Sequence, residues 1–225
     1  MTASQPVSLS LRGATLMPPT GPYSGLLLDT SEGTIEARLY QPTTQLETPT
    51  AIVWLGDDAG GFDSPADGLY DRLAERFQAL GVASLRVQYR NPADHAASGL
   101  DALVSTFLLT QQGFGRIVVV GHGQGALGAV QAGLSFPAVA AVAVMAPDAT
   151  ALEGIEGLAP KPLLIMHGTA DAVTPTQVAR DMLARAAEPK RIYYYQGADH
   201  QLTQAADVVT DELSDWLKEQ LGLGR

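Results

Sequence analysis

The stretch IVVVGHGQGALG, which spans residues 117–128, decides how the rest of the chain is interpreted. Its β-branched first half predicts a buried strand, and GHGQG then turns into a helix-forming segment. Two functional elements share this strand, turn and helix layout. One is an elbow that presents a nucleophile, and the other is the glycine-rich turn of a dinucleotide-binding unit. The surrounding sequence has to distinguish between them.

Outward from this stretch, predicted strands and helices alternate along the chain. Leu69, Leu73, Phe77 and Leu80 recur at helical spacing, and similar patterns predict helices over 100–110, 176–187 and 205–221. Continuous apolar runs such as AIVWL predict strands buried on both faces, whereas GLLLDT and TIEARLYQP predict an antiparallel opening pair. We therefore predict an α/β fold, with a mostly parallel sheet of about eight strands covered by helices on both faces.

Length and composition favour one domain and disfavour two classes of partner. The 225 residues, 46% of them hydrophobic, suit a single domain over 21–225 that follows an N-terminal arm over 1–20. A net charge of −10 without a basic cluster disfavours nucleic-acid and membrane partners. The absence of cysteine excludes disulfides and thiolate chemistry, and no signal-peptide pattern opens the chain. We expect a cytoplasmic protein, whose oligomeric state the sequence leaves open.

Polar residues follow several predicted strands, at the edge of the sheet where such folds bind ligands. The segments are GDDAGG (56–61), GHGQG (121–125), HGTAD (167–171) and GADH (197–200). Their order resembles that of the α/β-hydrolase family, in which a G-x-S-x-G elbow precedes an acid and then a histidine. The resemblance spans residues 51–221. It implies the α/β-hydrolase fold of the small esterases and dienelactone hydrolases, and the short segment 147–161 predicts that no cap domain is present.

The resemblance also implies roles for individual residues. Asp171 corresponds to the acid and His200 to the general base of a catalytic triad, while Gly123 stands at the nucleophile position. The oxyanion hole would then be formed by backbone N–H groups of the segments around the elbow and after the 51–55 strand, namely Asp57, Asp58 and Gln124. The carboxylates of Asp57 and Asp58 are interpreted as solvated caps of the next helix, in preference to an inward-pointing carboxylate that would oppose a developing oxyanion. His122 and His167 are interpreted as structural residues.

Glycine at position 123 removes the attacking group, because it has no side chain. We therefore expect a scaffold of the ester-hydrolase type that is inactive or severely impaired, as an engineered variant or as a natural pseudo-hydrolase. A water molecule activated by the pair Asp171 and His200 is disfavoured as a substitute, because it would be poorly positioned compared with a fixed hydroxyl group. The expected ligand is a small ester or lactone, without a cofactor. Asp57, Asp58, Asp171 and His200 match no metal-binding spacing, so no metal is expected.

Two alternatives remain open. The first is a non-catalytic protein that binds a small molecule or a protein partner on the same scaffold. The second is NAD(P) binding, because Gly121, Gly123 and Ala126 also satisfy G-x-G-x-x-G/A and Asp148 ends the following strand. The second alternative is disfavoured, since four predicted strands precede the motif and only three follow it. It also leaves HGTAD and GADH unexplained.

Overall fold

Nine strands form one sheet in the computed structural model, which describes residues 8–44, 46–60 and 62–223. The strands are β1 (Leu11–Thr20), β2 (Tyr23–Thr30), β3 (Gly33–Tyr40), β4 (Thr50–Leu55), β5 (Ala83–Gln88), β6 (Arg116–His122), β7 (Val139–Met145), β8 (Leu163–Gly168) and β9 (Lys190–Tyr195). Their order is β1-β2-β3-β5-β4-β6-β7-β8-β9. The first three strands are antiparallel to their neighbours, and the last six in this order are mutually parallel. The predicted mostly parallel sheet is confirmed.

Helices cover both faces of the sheet, as predicted. They are α1 (Pro65–Ala79), α2 (His95–Gln111), α3 (Gly125–Ser135), α4 (Thr176–Arg185) and α5 (Ala206–Leu221). Helices α2, α3 and α4 pack on one face, and α1 and α5 pack on the other. Successive side chains of β4 point to opposite faces, so Val53 lies in the first core and Trp54 in the second. Burial on both faces explains why the central strands are continuous apolar runs.

The N-terminal segment departs from the predicted arm. Residues 11–20 form β1, which pairs antiparallel with β2, for example through Leu16 and Leu26. Its side chains are mostly exposed, and it pairs with β2 alone at the edge of the sheet. Pro18 and Pro19 fit here, since an edge strand can lack a ladder N–H group. The first seven residues of the predicted arm lie outside the described residues.

The carboxyl ends of the strands are not covered by an inserted domain. Between β7 and β8 the chain forms only two short 3-10 turns, Ala149–Leu152 and Ile155–Leu158. The prediction that no cap is present is therefore confirmed. Within the described ranges, no helix combines the length and the apolarity needed to cross a bilayer.

Candidate active site

The turn after β6 has the backbone geometry of an elbow. Gly123 has a φ of +52°, in the left-handed region that glycine adopts without a steric penalty. Its N–H donates to the carbonyl of Met145 at 2.9 Å, and its carbonyl accepts the N–H groups of Ala126 and Asp148 at 3.2 and 3.1 Å. These bonds tie the turn to the end of β7. The turn thus keeps its shape without a side chain at its apex.

Two further glycines allow the start of α3 to lie close to the ends of β6 and β4. A Cβ atom added to Gly121 would overlap the backbone of Gly125 and would lie 2.7 Å from the nitrogen of Ala126. A Cβ atom added to Gly125 would lie 2.6 Å from the carbonyl oxygens of Leu55 and Gly56. The neighbouring atoms belong to the backbone, so no side-chain rotation can relieve the overlap. Both positions therefore require glycine for packing.

We expect Gly121→Ala to lower the free energy of unfolding by about 3 kcal/mol or more, because the extra methyl group forces the backbone of the turn apart. Urea denaturation followed by circular dichroism measures this change. Gly13→Ala is the matched control, since among the described residues no atom beyond its chain neighbours lies within 4 Å of its added Cβ. An unchanged urea midpoint for Gly121→Ala would show that β6 and the start of α3 are not closely packed.

Asp171 and His200 meet beyond the ends of β8 and β9. Nδ1 of His200 lies 2.8 Å from Oδ2 of Asp171, and both side chains are almost fully buried. The other oxygen of Asp171 accepts the N–H groups of Val173 and Thr174, each at 2.8 Å. These bonds fix the carboxylate, which in turn orients the imidazole. The structure thus brings together the acid and the base that the resemblance implied.

The carboxylate of Asp57 lies where a side chain at position 123 would lie. Its Oδ2 is 2.9 Å from Nε2 of His200, and its Oδ1 accepts the backbone N–H of Gln124 at 2.8 Å. A Cβ atom added to Gly123 would overlap this carboxylate, with even the more distant oxygen, Oδ2, at 2.6 Å. A hydrogen-bonded chain therefore runs from Asp57 through His200 to Asp171. No pattern in the sequence indicates the hydrogen bond between the Asp57 side chain and His200.

The predicted helix-capping role of Asp57 is wrong. The next helix, α1, has Ser64 at its N-cap position, whereas the Asp57 carboxylate points inward to a cationic partner and a backbone donor. Asp58 is exposed at the surface. Pairing with an imidazole and an N–H group offsets the cost of burying the Asp57 charge, which is why the carboxylate can turn inward.

Of the three predicted oxyanion donors, Gln124 points its N–H group into the site. That N–H is already satisfied by the Asp57 carboxylate. The Gln124 side chain donates to Oγ of Ser98 at 2.8 Å, which holds the residue in place. An oxyanion developing next to this N–H would therefore meet a fixed negative charge from Asp57. Asp57 reaches the site through its carboxylate, and the oxyanion role of the Asp57 and Asp58 backbone N–H groups stays a prediction.

The electrostatics of the site favour an ion pair between Asp57 and His200. Burial alone would lower the pKa of His200, but the hydrogen bonds and charges of Asp57 and Asp171 outweigh it and raise this pKa to about 9. Burial alone would raise the pKa of Asp57, but the hydrogen bond from His200, together with the N–H groups of Gln124 and Asp58, lowers it to about 2. At neutral pH, His200 is therefore protonated and Asp57 is ionised.

Two further buried histidines surround the pair. Nε2 of His122 lies 2.9 Å from the carbonyl oxygen of His200, and the two rings are 4.9 Å apart between centroids. Nδ1 of His122 has no hydrogen-bond partner among the described residues. His167 lies with Nδ1 3.6 Å from Oδ2 of Asp171, and burial lowers the pKa of both His122 and His167. The side chain of His122 thus holds the backbone at His200 in place.

In the structure, Asp148 does not take the role that NAD(P) binding would require of it. The carboxylate of Asp148 accepts the N–H and hydroxyl groups of Thr150, each within 2.9 Å, and caps the first 3-10 turn. In a dinucleotide site, the glycine turn would instead face a pyrophosphate. Here it faces the carboxylate of Asp57, which would repel a phosphate. The glycine pattern is thus explained by close packing and by the elbow.

Solved structures share this fold at low sequence identity. Dienelactone hydrolase from Anabaena variabilis is 19% identical with a TM-score of 0.72, over 88% of this chain and 98% of that one. Est1E from Butyrivibrio proteoclasticus is 16% identical with a TM-score of 0.72, over 93% and 99%. A serine hydrolase without a lid from Xanthomonas campestris is 17% identical with a TM-score of 0.71, over 93% and 99%. No family model and no curated protein matches the sequence. The chain has the α/β-hydrolase fold without a cap domain.

Proposed function

We propose that the protein is a scaffold of the ester-hydrolase type whose serine chemistry is lost, so that it is inactive or severely impaired toward carboxyl esters. The retained pair of Asp171 and His200, on a fold shared with esterases, supports the hydrolase origin. The observation that carries the loss is the position of the Asp57 carboxylate, which fills the space beside Gly123. Gly123 and the inward Asp57 side chain thus depend on each other.

Three parts of the serine mechanism are affected together. Position 123 has no hydroxyl group, the N–H of Gln124 is engaged by a carboxylate, and Nε2 of His200 is engaged by the same carboxylate. A protonated imidazole cannot accept the proton of a nucleophile. In a serine protease of another fold, loss of the nucleophile alone lowers turnover about two-million-fold. A water molecule activated by His200 is also disfavoured, because Asp57 occupies the position that such a water would need.

The ligand class follows from the scaffold and from the charge of the site. One solved structure of Est1E contains ferulic acid, and the absence of a cap leaves the strand ends accessible to small molecules. Asp57 already neutralises His200, so the site offers no unpaired cation to an anionic ligand. We therefore favour a small neutral ester or lactone over a free acid. A second candidate function is non-catalytic binding of such a molecule above the paired Asp57 and His200, which needs no reactive group.

The test is the hydrolysis of p-nitrophenyl acetate by the wild-type protein in the presence of a metal chelator. We expect a rate at the background level. His200→Gln should not lower it further, because a His200 that is protonated and paired with Asp57 does no chemistry. The variant His95→Gln, at the start of α2, controls for ester hydrolysis by a histidine outside the site. A wild-type rate far above background that falls in His200→Gln would contradict the proposed loss of function.

A further inference from the structure

We propose that Asp57, His122 and His200 form a binding site for a divalent transition-metal ion of the zinc type. One carboxylate oxygen of Asp57 and one ring nitrogen of each histidine all lie within 4.8 Å of one another. All three residues are buried. Two imidazoles and one carboxylate are a ligand set that suits zinc and its neighbours in the first transition row.

The separations of the three ligand atoms suit a single ion. Zinc lies about 2.0–2.2 Å from nitrogen and oxygen ligands, so two ligand atoms at a tetrahedral angle are about 3.3–3.6 Å apart. Closing the widest separation that the 4.8 Å bound allows therefore takes up to about 1.5 Å, shared between two side chains. Asp57 and His200 are already 2.9 Å apart and need no closure between them. Side-chain torsions alone supply movements of this size.

The hydrogen bond of His122 leaves one of its ring nitrogens without a partner among the described residues. A carbonyl oxygen only accepts, so the contact with the His200 carbonyl assigns the proton of His122 to Nε2. Nδ1 is then left buried, and it has no partner among the described residues. A second proton on Nδ1 would be a buried, unpaired charge, which is more costly than a bare lone pair. The ring therefore presents a lone pair whose burial no hydrogen bond offsets.

Each of the three proposed ligands also has a hydrogen-bond partner that holds it in place. Histidines that bind metals almost always donate their second ring N–H to a carboxylate or a carbonyl oxygen. His200 donates through Nδ1 to Asp171, and His122 donates through Nε2 to a backbone carbonyl. Oδ1 of Asp57 is fixed by the N–H of Gln124. The ion would replace the proton between His200 and Asp57, and three protein ligands would leave a fourth position for water, as in catalytic zinc sites.

The experiment is a zinc titration of tag-free, chelator-treated protein at pH 8 against a chromophoric competitor. We expect one zinc ion per chain. His200→Gln and Asp57→Asn should weaken binding at least about 100-fold, and Asp171→Asn, which removes the outer partner of His200, about 10- to 100-fold. His95→Gln is the matched control and should bind as tightly as the wild-type protein. This binding measurement is independent of the ester assay, so either proposal can fail alone.

Because His122 is fully buried, its role is tested without a substitution. Nitrogen-15 NMR of the wild-type imidazoles should show zinc-dependent shifts of both His122 and His200, whereas His95 and His167 should keep their positions. Absence of one-to-one binding in the wild-type protein would overturn the proposal. So would binding that survives His200→Gln or is lost in His95→Gln, or zinc-dependent shifts that exclude His122.

Discussion

Replacement of Gly123 by serine is expected to restore ester hydrolysis only when Asp57 is shortened as well. With Asp57 intact, a Cβ atom at position 123 overlaps its carboxylate, and the N–H of Gln124 is engaged. In Gly123→Ser with Asp57→Ala, the hydroxyl gains space and the N–H becomes available, while His200 loses the carboxylate that keeps it protonated. We expect the double variant to hydrolyse p-nitrophenyl acetate at least about 1,000-fold faster than the wild-type protein, and Gly123→Ser alone to stay within about tenfold of it.

Labelling with a fluorophosphonate probe provides an independent measurement of the same prediction. The double variant should be labelled at residue 123, the wild-type protein should not, and addition of His200→Gln should return both labelling and hydrolysis to background. Equal rates for Gly123→Ser and the double variant would show that Asp57 does not obstruct the elbow. A double variant that remains at background would contradict the assignment of Asp171 and His200 as the rest of a triad.

Removal of the cation at position 200 is expected to destabilise the fold strongly. His200 lies between two carboxylates, one on Asp57 and one on Asp171, whose side chains are 11% and 0% exposed. His200→Gln leaves both negative charges buried without a counter-charge, and loss of one partner of a buried pair typically costs about 3–5 kcal/mol. Urea denaturation at pH 7 measures this loss. Asp57→Asn added to His200→Gln should recover part of the stability, and a double variant no more stable than His200→Gln would argue against coupling between the two residues.

The same ion pair predicts how stability depends on pH. The pKa of His200 rises from 6.5 to about 9 on folding, so its contribution is complete below pH 6.5 and is lost as the pH rises toward 9. The pKa of Asp57 falls from 3.8 to about 2, so its contribution is present above pH 3.8 and is lost as the pH falls through 2. Because solvent partly screens the pair, we expect a decrease on the order of 2 kcal/mol between pH 6.5 and 9.5. His200→Gln should lack this decrease, and a flat wild-type curve would exclude the raised pKa.

Much of the fold could be predicted because its causes are local. Continuous apolar runs such as that of β4 indicated strands buried on both faces, and the helical spacing of Leu69, Leu73 and Phe77 indicated α1. The edge strand β1 was missed, because its side chains are mostly exposed and its two prolines are typical of a loop. Pairing with β2 through backbone hydrogen bonds requires no apolar pattern in β1, so its sequence carries little trace of it.

The sequence by itself determined the scaffold, the elbow and the missing hydroxyl group, and the order of its motifs pointed to Asp171 and His200. Only the tertiary structure decided what fills the space at Gly123. Asp57 is 66 positions before Gly123 in the chain, and no periodicity or spacing rule specifies which way its side chain turns. That choice depends on an imidazole from a third segment, a backbone N–H at the start of α3 and the absence of a Cβ atom at position 123. These conditions coexist only after β4, β6 and β9 have been assembled into one sheet.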